Sequence, residues 1–228
     1  MIKKILKTIL FLLVSFFVFS ALWVFVYKYF NPPITTMMLY KYFTEQEYKV
    51  SKNWVEIEAV NPMLPLAFIA SEDQLFLEHS GFDIVAIKKA FEKNKKSKRQ
   101  VGASTISQQV AKNVFLIPNK SFVRKGIEAY FTVLIEAIWG KKRIMEVYIN
   151  IVELGDGIYG VDAAAEKFFK KPGKKISLNE AALMAVALPN PIIYNLGKPS
   201  PYMYRRKNWI MHQVSNLGGE QLTKQWYE

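Results

Sequence analysis

A glutamate set among apolar residues at helical spacing is a candidate for proton transfer, and this chain has two. In SEDQLFLEHSGFD, residues 71–83, Glu72 lies three or four residues from Phe68, Leu75 and Phe76. A helix starting after Pro65 and ending near His79-Ser80-Gly81 would carry all four on one face. An ionised carboxylate removed from water without a partner is costly or shifts to a higher pKa, so such a position needs a reason. The plain alternative, a helix-terminal or ion-paired acid, stays open on that stretch alone. The second acid is Glu128 in SFVRKGIEAYFTVLIEAIWG, residues 121–140, one helix stopped by Gly140 with the stripe Ile127, Phe131, Leu134, Ile135 and Ile138. Arg124 and Lys125 stand one turn before Glu128, and its plain reading is an ordinary ion pair worth a few tenths of a kcal/mol.

Between the two acids lies VGASTISQQVAKNVFL, residues 101–116. Thr105 and Gln108 have capping-box spacing, which predicts a helix from there to about Phe115 with Ile106, Val110 and Val114 buried. Gln108 and Lys112 then share another face. Hydroxyls of Ser104 and Thr105, free N–H groups, the paired Gln108 and Gln109, and the Lys112 ammonium converge on one end of a helix, which suits an anion or a sugar. A capped helix with an exposed polar face is the ordinary alternative. Two acids with Lys112, Lys120, Arg124 and Lys125 among them resemble a two-carboxylate glycosyl-transfer site facing a charged leaving group.

What must position these residues is mainly helical. The 228 residues, 51% hydrophobic, suit one domain plus an N-terminal extra. After Lys3, Lys4 and Lys7, residues Thr8 to Tyr27 carry no charge, enough to cross a hydrocarbon core of about 30 Å. Residues 1–30 are therefore expected to be a cytoplasmic N-terminus and a single transmembrane anchor. The lysines place the remainder outside the cytoplasm, with Trp23, Tyr27 and Tyr29 as an aromatic belt; a cleaved signal peptide is the competing reading. Residues 31–64, bracketed by prolines and carrying the alternating run NWVEIEAV, are expected as a membrane-proximal strand or extended linker, and 65–228 as the domain. The excess of 31 Lys+Arg over 19 Asp+Glu fits lipid headgroups or an anionic lipid-linked substrate, and an external domain excludes nucleic acid. Residues 84–100 should begin as a helix with the stripe Ile84, Ile87 and Phe91 and continue as a solvated basic loop. KKRIMEVYINIVEL should be helical to Gly155 with DGIYG a turn, and Ser177 and Glu180 cap a further helix. No cysteine, P-loop, GxSxG or metal-ligand spacing is present.

SEDQLFLEHSGFD, GASTISQQVAKN, RKGIEA, KKRIMEVYIN and LPNP, in that order, resemble the motifs of the peptidoglycan glycosyltransferase family, the lysozyme-like domain of class A penicillin-binding proteins. RKGIEA and ELGDGIYGVDAAA resemble its monofunctional subgroup. The resemblance implies polymerisation of lipid II into glycan strands, with inversion and release of polyprenyl pyrophosphate, by an enzyme of the inner membrane that also meets other cell-wall synthesis and division proteins. Glu72 would be the general base. Glu128 would assist the departing pyrophosphate, directly or through a divalent cation, Mg or Mn. Lys112, Lys120, Arg124 and Lys125 would neutralise phosphate; Ser104, Thr105, Gln108 and Gln109, with Asp73 and His79, would bind substrate. Ala103, Ser107 and Lys120 depart from the family pattern, where a second glycine, a threonine and an arginine are usual. The rival readings are a glycan-cleaving enzyme, lysozyme or lytic transglycosylase, and a non-enzymatic membrane-anchored wall-binding protein.

Overall fold

A computed structural model describes residues 1–96, 101–119 and 121–227. It is mainly helical: α1 (Ile2–Tyr29), α2 (Thr36–Thr44), α3 (Met63–Glu72), α4 (Ile84–Lys96), α5 (Ile106–Phe115), α6 (Phe122–Ile138), α7 (Gly140–Ile151), α8 (Val161–Ala164), α9 (Leu178–Ala187) and α10 (Pro201–Asn216). The strands β1 (Ser51–Lys52), β2 (Glu153–Gly155) and β3 (Ile158–Tyr159) form a small sheet in the order β1-β3-β2, with β1 parallel and β2 antiparallel to β3. α3 and α9 are apolar nearly all round and lie buried at the centre, as helices without a polar face must. α5 packs on α6 and α7, and α10 lies across α3 and α9.

α1 is long and apolar enough to cross a membrane, and its C-terminal part is docked on the domain. The Tyr130 hydroxyl meets Ser20 Oγ at 2.7 Å, Trp139 Nε1 donates to Val24 O at 2.7 Å, and Arg143 Nη2 donates to the carbonyls of Tyr27 and Phe30 at 2.9 and 3.0 Å. Rings of the expected aromatic belt also take part in this contact. The Trp23 ring sits edge-on to Phe115 at 5.1 Å and Tyr27 also packs on Phe115, so two of its three rings serve the anchor–domain contact.

Residues 31–64 are no free linker. Thr36 Oγ1 donates to Val114 O at 2.7 Å, and Met38, Ile57, Val60 and Leu64 enter the core. The helix carrying Glu72 begins at Met63, whose N–H finds Asn61 Oδ1 at 2.9 Å, and it ends at Glu72 rather than near Gly81. Asp73 leaves helical geometry (φ −161°, ψ 76°) because its carboxylate turns away to bind elsewhere. Leu75, expected beside Glu72, is consequently exposed, whereas Phe68 and Phe76 are buried. α4 extends through Lys96, so part of the expected basic loop is helical; its stripe Ile84, Ile87 and Phe91 is exposed, with Lys95 Nζ lying 4.4 Å over the Phe91 ring. α7 stops at Ile151, since Glu153–Gly155 pairs as a strand and Asp156-Gly157 makes the turn.

The capping box forms as the spacing predicts: Thr105 Oγ1 accepts from Gln108 N–H, Gln108 Oε1 accepts from Thr105 N–H, and the Thr105 hydroxyl donates to Gly81 O at 2.7 Å. Gly81 has φ +90°, and a Cβ there would come within 2.7 Å of Thr132 Cγ2, which fixes the approach of this loop. Thr105→Ala strands buried partners at both ends and should destabilise the chain by about 2 kcal/mol in denaturant unfolding. A loss near zero would show that the cap does not hold α5.

Candidate active site

Glu72 is the last residue of α3, at the wall of a depression of about 430 Å³ lined also by Ser71, Asp83, Lys89, Ala103, Ser104 and Thr105. Gln109 Nε2 donates to Glu72 Oε2 at 3.0 Å, and Gln109 Oε1 accepts from the Tyr148 hydroxyl at 3.0 Å. Tyr148 is fully buried on α7, and burial pushes its phenol well above the usual range, so it stays a donor and fixes which end of the amide faces Glu72. Burial also raises the Glu72 pKa; the hydrogen bonds from Gln109 and Ser71 and the charge of Arg206 on α10 oppose that rise. The result is a carboxylate with a firmly held oxygen and a proton affinity above that of an ordinary glutamate, the character of a general base.

Glu128 is 2% exposed, and both its oxygens are engaged, Oε2 by Arg124 Nη1 at 2.6 Å and Oε1 by Lys125 Nζ in a short contact. The ordinary surface ion pair is thus corrected to a buried acid with two cations, in which losing one partner would be costly. Lys112 lies between the acids. Burial lowers its pKa, Glu128 and Glu72 both pull it back up, and Arg124 and Lys125 push it down. Among the described residues the Lys112 ammonium makes no hydrogen bond or ion pair, its backbone carbonyl accepting from Leu116 N–H. It lines a second depression of about 230 Å³ with Met37, Lys41, Gln109, Asn113, Glu153 and Tyr159.

Other residues singled out by sequence turn out to build the frame. Asp73 accepts from Ile106 N–H at 3.0 Å and from His79 Nε2 at 2.8 Å, while His79 Nδ1 accepts from Gly81 N–H at 3.1 Å, which leaves the ring proton on Nε2. Thr105 and Gln108 are committed to the capping box. Asp73, His79, Thr105 and Gln108 thus tie the end of α3 to the start of α5 instead of presenting free groups to a ligand. Ser104 is exposed at the first depression. Lys120 lies outside the described residues. Tyr148 and Arg206 carried no sequence signal beyond a hydroxyl within an apolar run and one arginine in a basic helix.

The donor set does not fit a resident divalent cation at Glu128, because both its oxygens already face cations and Lys112 adds a third nearby. Among the described residues, the acids close enough to share an ion are Glu56, Glu58 and Glu146. Lys142 and Arg143 already pair with Glu58 and Glu146 there.

The profile of the family described as Transglycosylase matches residues 39–215. The chain is similar to proteins named biosynthetic peptidoglycan transglycosylase. It is 52% identical over 177 residues to that of Haemophilus influenzae, covering 77% of this chain and 72% of the relative. It is 47% identical over 218 residues to that of Bacteroides thetaiotaomicron, covering 94% and 88%, and 45% identical over 217 residues to that of Bdellovibrio bacteriovorus, covering 93% and 85%.

Proposed function

Since the chain belongs to the transglycosylase family and is a peptidoglycan glycosyltransferase of cell-wall synthesis, we propose that it polymerises lipid II at the outer face of the cytoplasmic membrane, held there by α1 as a single-pass anchor. The observation that carries this reading is Lys112, a half-buried ammonium without a partner, set between a base and a cation-saturated acid. A buried charge needs a counter-charge. A pyrophosphate meets that need, and an uncharged glycosidic link, the substrate of a glycan-cleaving enzyme, does not.

In the proposed reaction Glu72 takes the proton of the acceptor sugar's 4-hydroxyl as that oxygen bonds to the donor's anomeric carbon. The bond from that carbon to the pyrophosphate breaks, and its electron pair leaves on the phosphate oxygen. Attack from the face opposite the leaving group inverts the anomeric centre. Lys112, Arg124 and Lys125 meet charge that grows as the bond breaks, so they stabilise the transition state more than the ground state. Glu128 holds Arg124 and Lys125 in place. Gln109, fixed by Tyr148, orients the base. The test is incubation of the full chain in detergent with labelled lipid II, read by gel for polymer and for released polyprenyl pyrophosphate. Consumption without polymer, or none, would overturn the proposal.

A further inference from the structure

The first acid of the chain is Glu45, and from residue 28 to residue 44 the only charges are Lys28 and Lys41. α2 lies in that stretch and is apolar on two sides. One side is spent on the domain: Met38 is buried, and Met37 and Lys41 help line the Lys112 depression, with Lys41 Nζ held on Glu153 Oε2 at 2.8 Å. The other side is bare. Leu39, Tyr40, Tyr42 and Phe43 leave the helix there, all exposed and Phe43 76% so, with the Tyr42 and Phe43 rings edge-on at 5.4 Å. Scattered apolar side chains on a surface need no explanation, but four adjoining ones on a single helix form a patch that marks an interaction surface. Tyr29 and Phe30 at the end of α1 and Ile34 on the connection to α2 are exposed as well and extend it along the chain towards the anchor.

We infer that the outer side of α2 lies in the headgroup layer of the bilayer with its four side chains at the acyl boundary, so that the chain meets lipid through a helix on the surface as well as through the one that spans it. The inference rests on the proposed role of α1 as the anchor. The height of α2 is set by its contacts. Thr36 Oγ1 donates to Val114 O at 2.7 Å, and the next residue, Phe115, packs on Trp23 and Tyr27. The start of α2 is therefore level with the rings near the outer end of α1, the height at which aromatic side chains gather at a membrane surface. Rings with a hydroxyl at one end, a net positive charge and no acid suit a helix lying in that layer, where the headgroups are anionic. Seated so, α2 stands between the lipid and the Lys112 depression, to which its inner side contributes.

The chain has no cysteine, so a spin label can be set at one position at a time. Leu39→Cys, Phe43→Cys, Val14→Cys in the apolar run of α1 and Glu220→Cys at an exposed acid are labelled in the full chain, which is reconstituted in vesicles of phosphatidylethanolamine and phosphatidylglycerol. Collision rates with oxygen, which concentrates in lipid, and with a water-soluble nickel chelate give the depth of each label. The labels at positions 39 and 43 should lie about 5 to 10 Å below the phosphates, shallower than the one at position 14, with the one at position 220 in water. A label at position 43 as open to nickel as that at position 220, while position 14 reads deep, would overturn the inference and leave the anchor standing; position 14 open to nickel would overturn both. Strong spin–spin broadening between labels at position 43, lost on dilution with unlabelled protein, would place a second copy against the patch and also overturn the inference. These readouts need no turnover, so they separate its failure from that of a wild-type protein that makes no polymer.

Discussion

Glu72→Gln is expected to polymerise lipid II at least about 100-fold more slowly than wild type while folding as well or better. The kinetic part follows from the loss of a positioned proton acceptor. The stability part follows from the direction of the pKa shift. Burial raises the Glu72 pKa in the folded chain, so between the unfolded and folded values the native state binds the extra proton and stability falls as pH rises through that window. Above it the folded chain carries a desolvated carboxylate, a cost the amide removes. The melting temperature of Glu72→Gln should therefore equal or exceed that of wild type at pH 8, and the difference should shrink as pH falls below the ordinary carboxylate range. The same shift places the acidic limb of the wild-type rate profile above that range. Near-normal turnover in Glu72→Gln would remove Glu72 from the role of base.

Opposite effects on rate and stability are also what separate a functional residue from a framing one at this site. Asp73 is adjacent in sequence and more buried, but its carboxylate is spent on Ile106 N–H and His79. Glu72 has one firm hydrogen bond, from Gln109, and faces a depression. Helical spacing singled out Glu72 and was silent on Asp73, which the resemblance counted as a substrate-binding residue. The division comes from Asp73 ending the helix, a side-chain event that the glycine signal at Gly81 obscured.

Local signals were legible where one residue's own chemistry decides the outcome. The Thr105–Gln108 and Ser177–Glu180 boxes start α5 and α9 as their spacing predicts, and Gly140, with φ +75°, separates α6 from α7. β2 was not legible, because Ile149–Leu154 continues a helical apolar run and β2 exists only through its partner β3. The same limit applied to the site. Glu72, Lys112 and Glu128 could be named as candidates one helix at a time. The Gln109 bridge from Tyr148 to Glu72, and the place of Arg206, depend on which faces of α3, α5, α7 and α10 meet. Residues 31–64 looked like a linker for that reason too: Met38 and Ile57 are buried only because α5 and α7 receive them.

Lys112→Met is expected to cost about 10² to 10³ in kcat/KM for lipid II, comparable to the loss of other preorganised groups that meet developing charge. The Lys112 ammonium has no hydrogen-bond or ion-pair partner among the described residues, and burial lowers its pKa more than the charges of Glu128 and Glu72 raise it, so the folded state without substrate bears a cation compensated only in part. Its folded pKa lies below the unfolded one; the unfolded chain then binds more protons between the two values, and stability rises with pH through that window. Below that window the folded chain bears the full cost of the buried cation, so there Lys112→Met should melt at the same temperature or higher. If Lys112 instead served only to balance Glu128, its loss would leave a buried carboxylate less compensated, lower the melting temperature and spare the rate. Activity against pH supplies a second readout. The basic limb of the wild-type profile should fall below the ordinary lysine range as Lys112 deprotonates, and Lys112→Met should lack that limb while keeping the acidic one set by Glu72. Wild-type kcat/KM in Lys112→Met together with a lowered melting temperature would place Lys112 in the frame and leave the pyrophosphate without its buried cation.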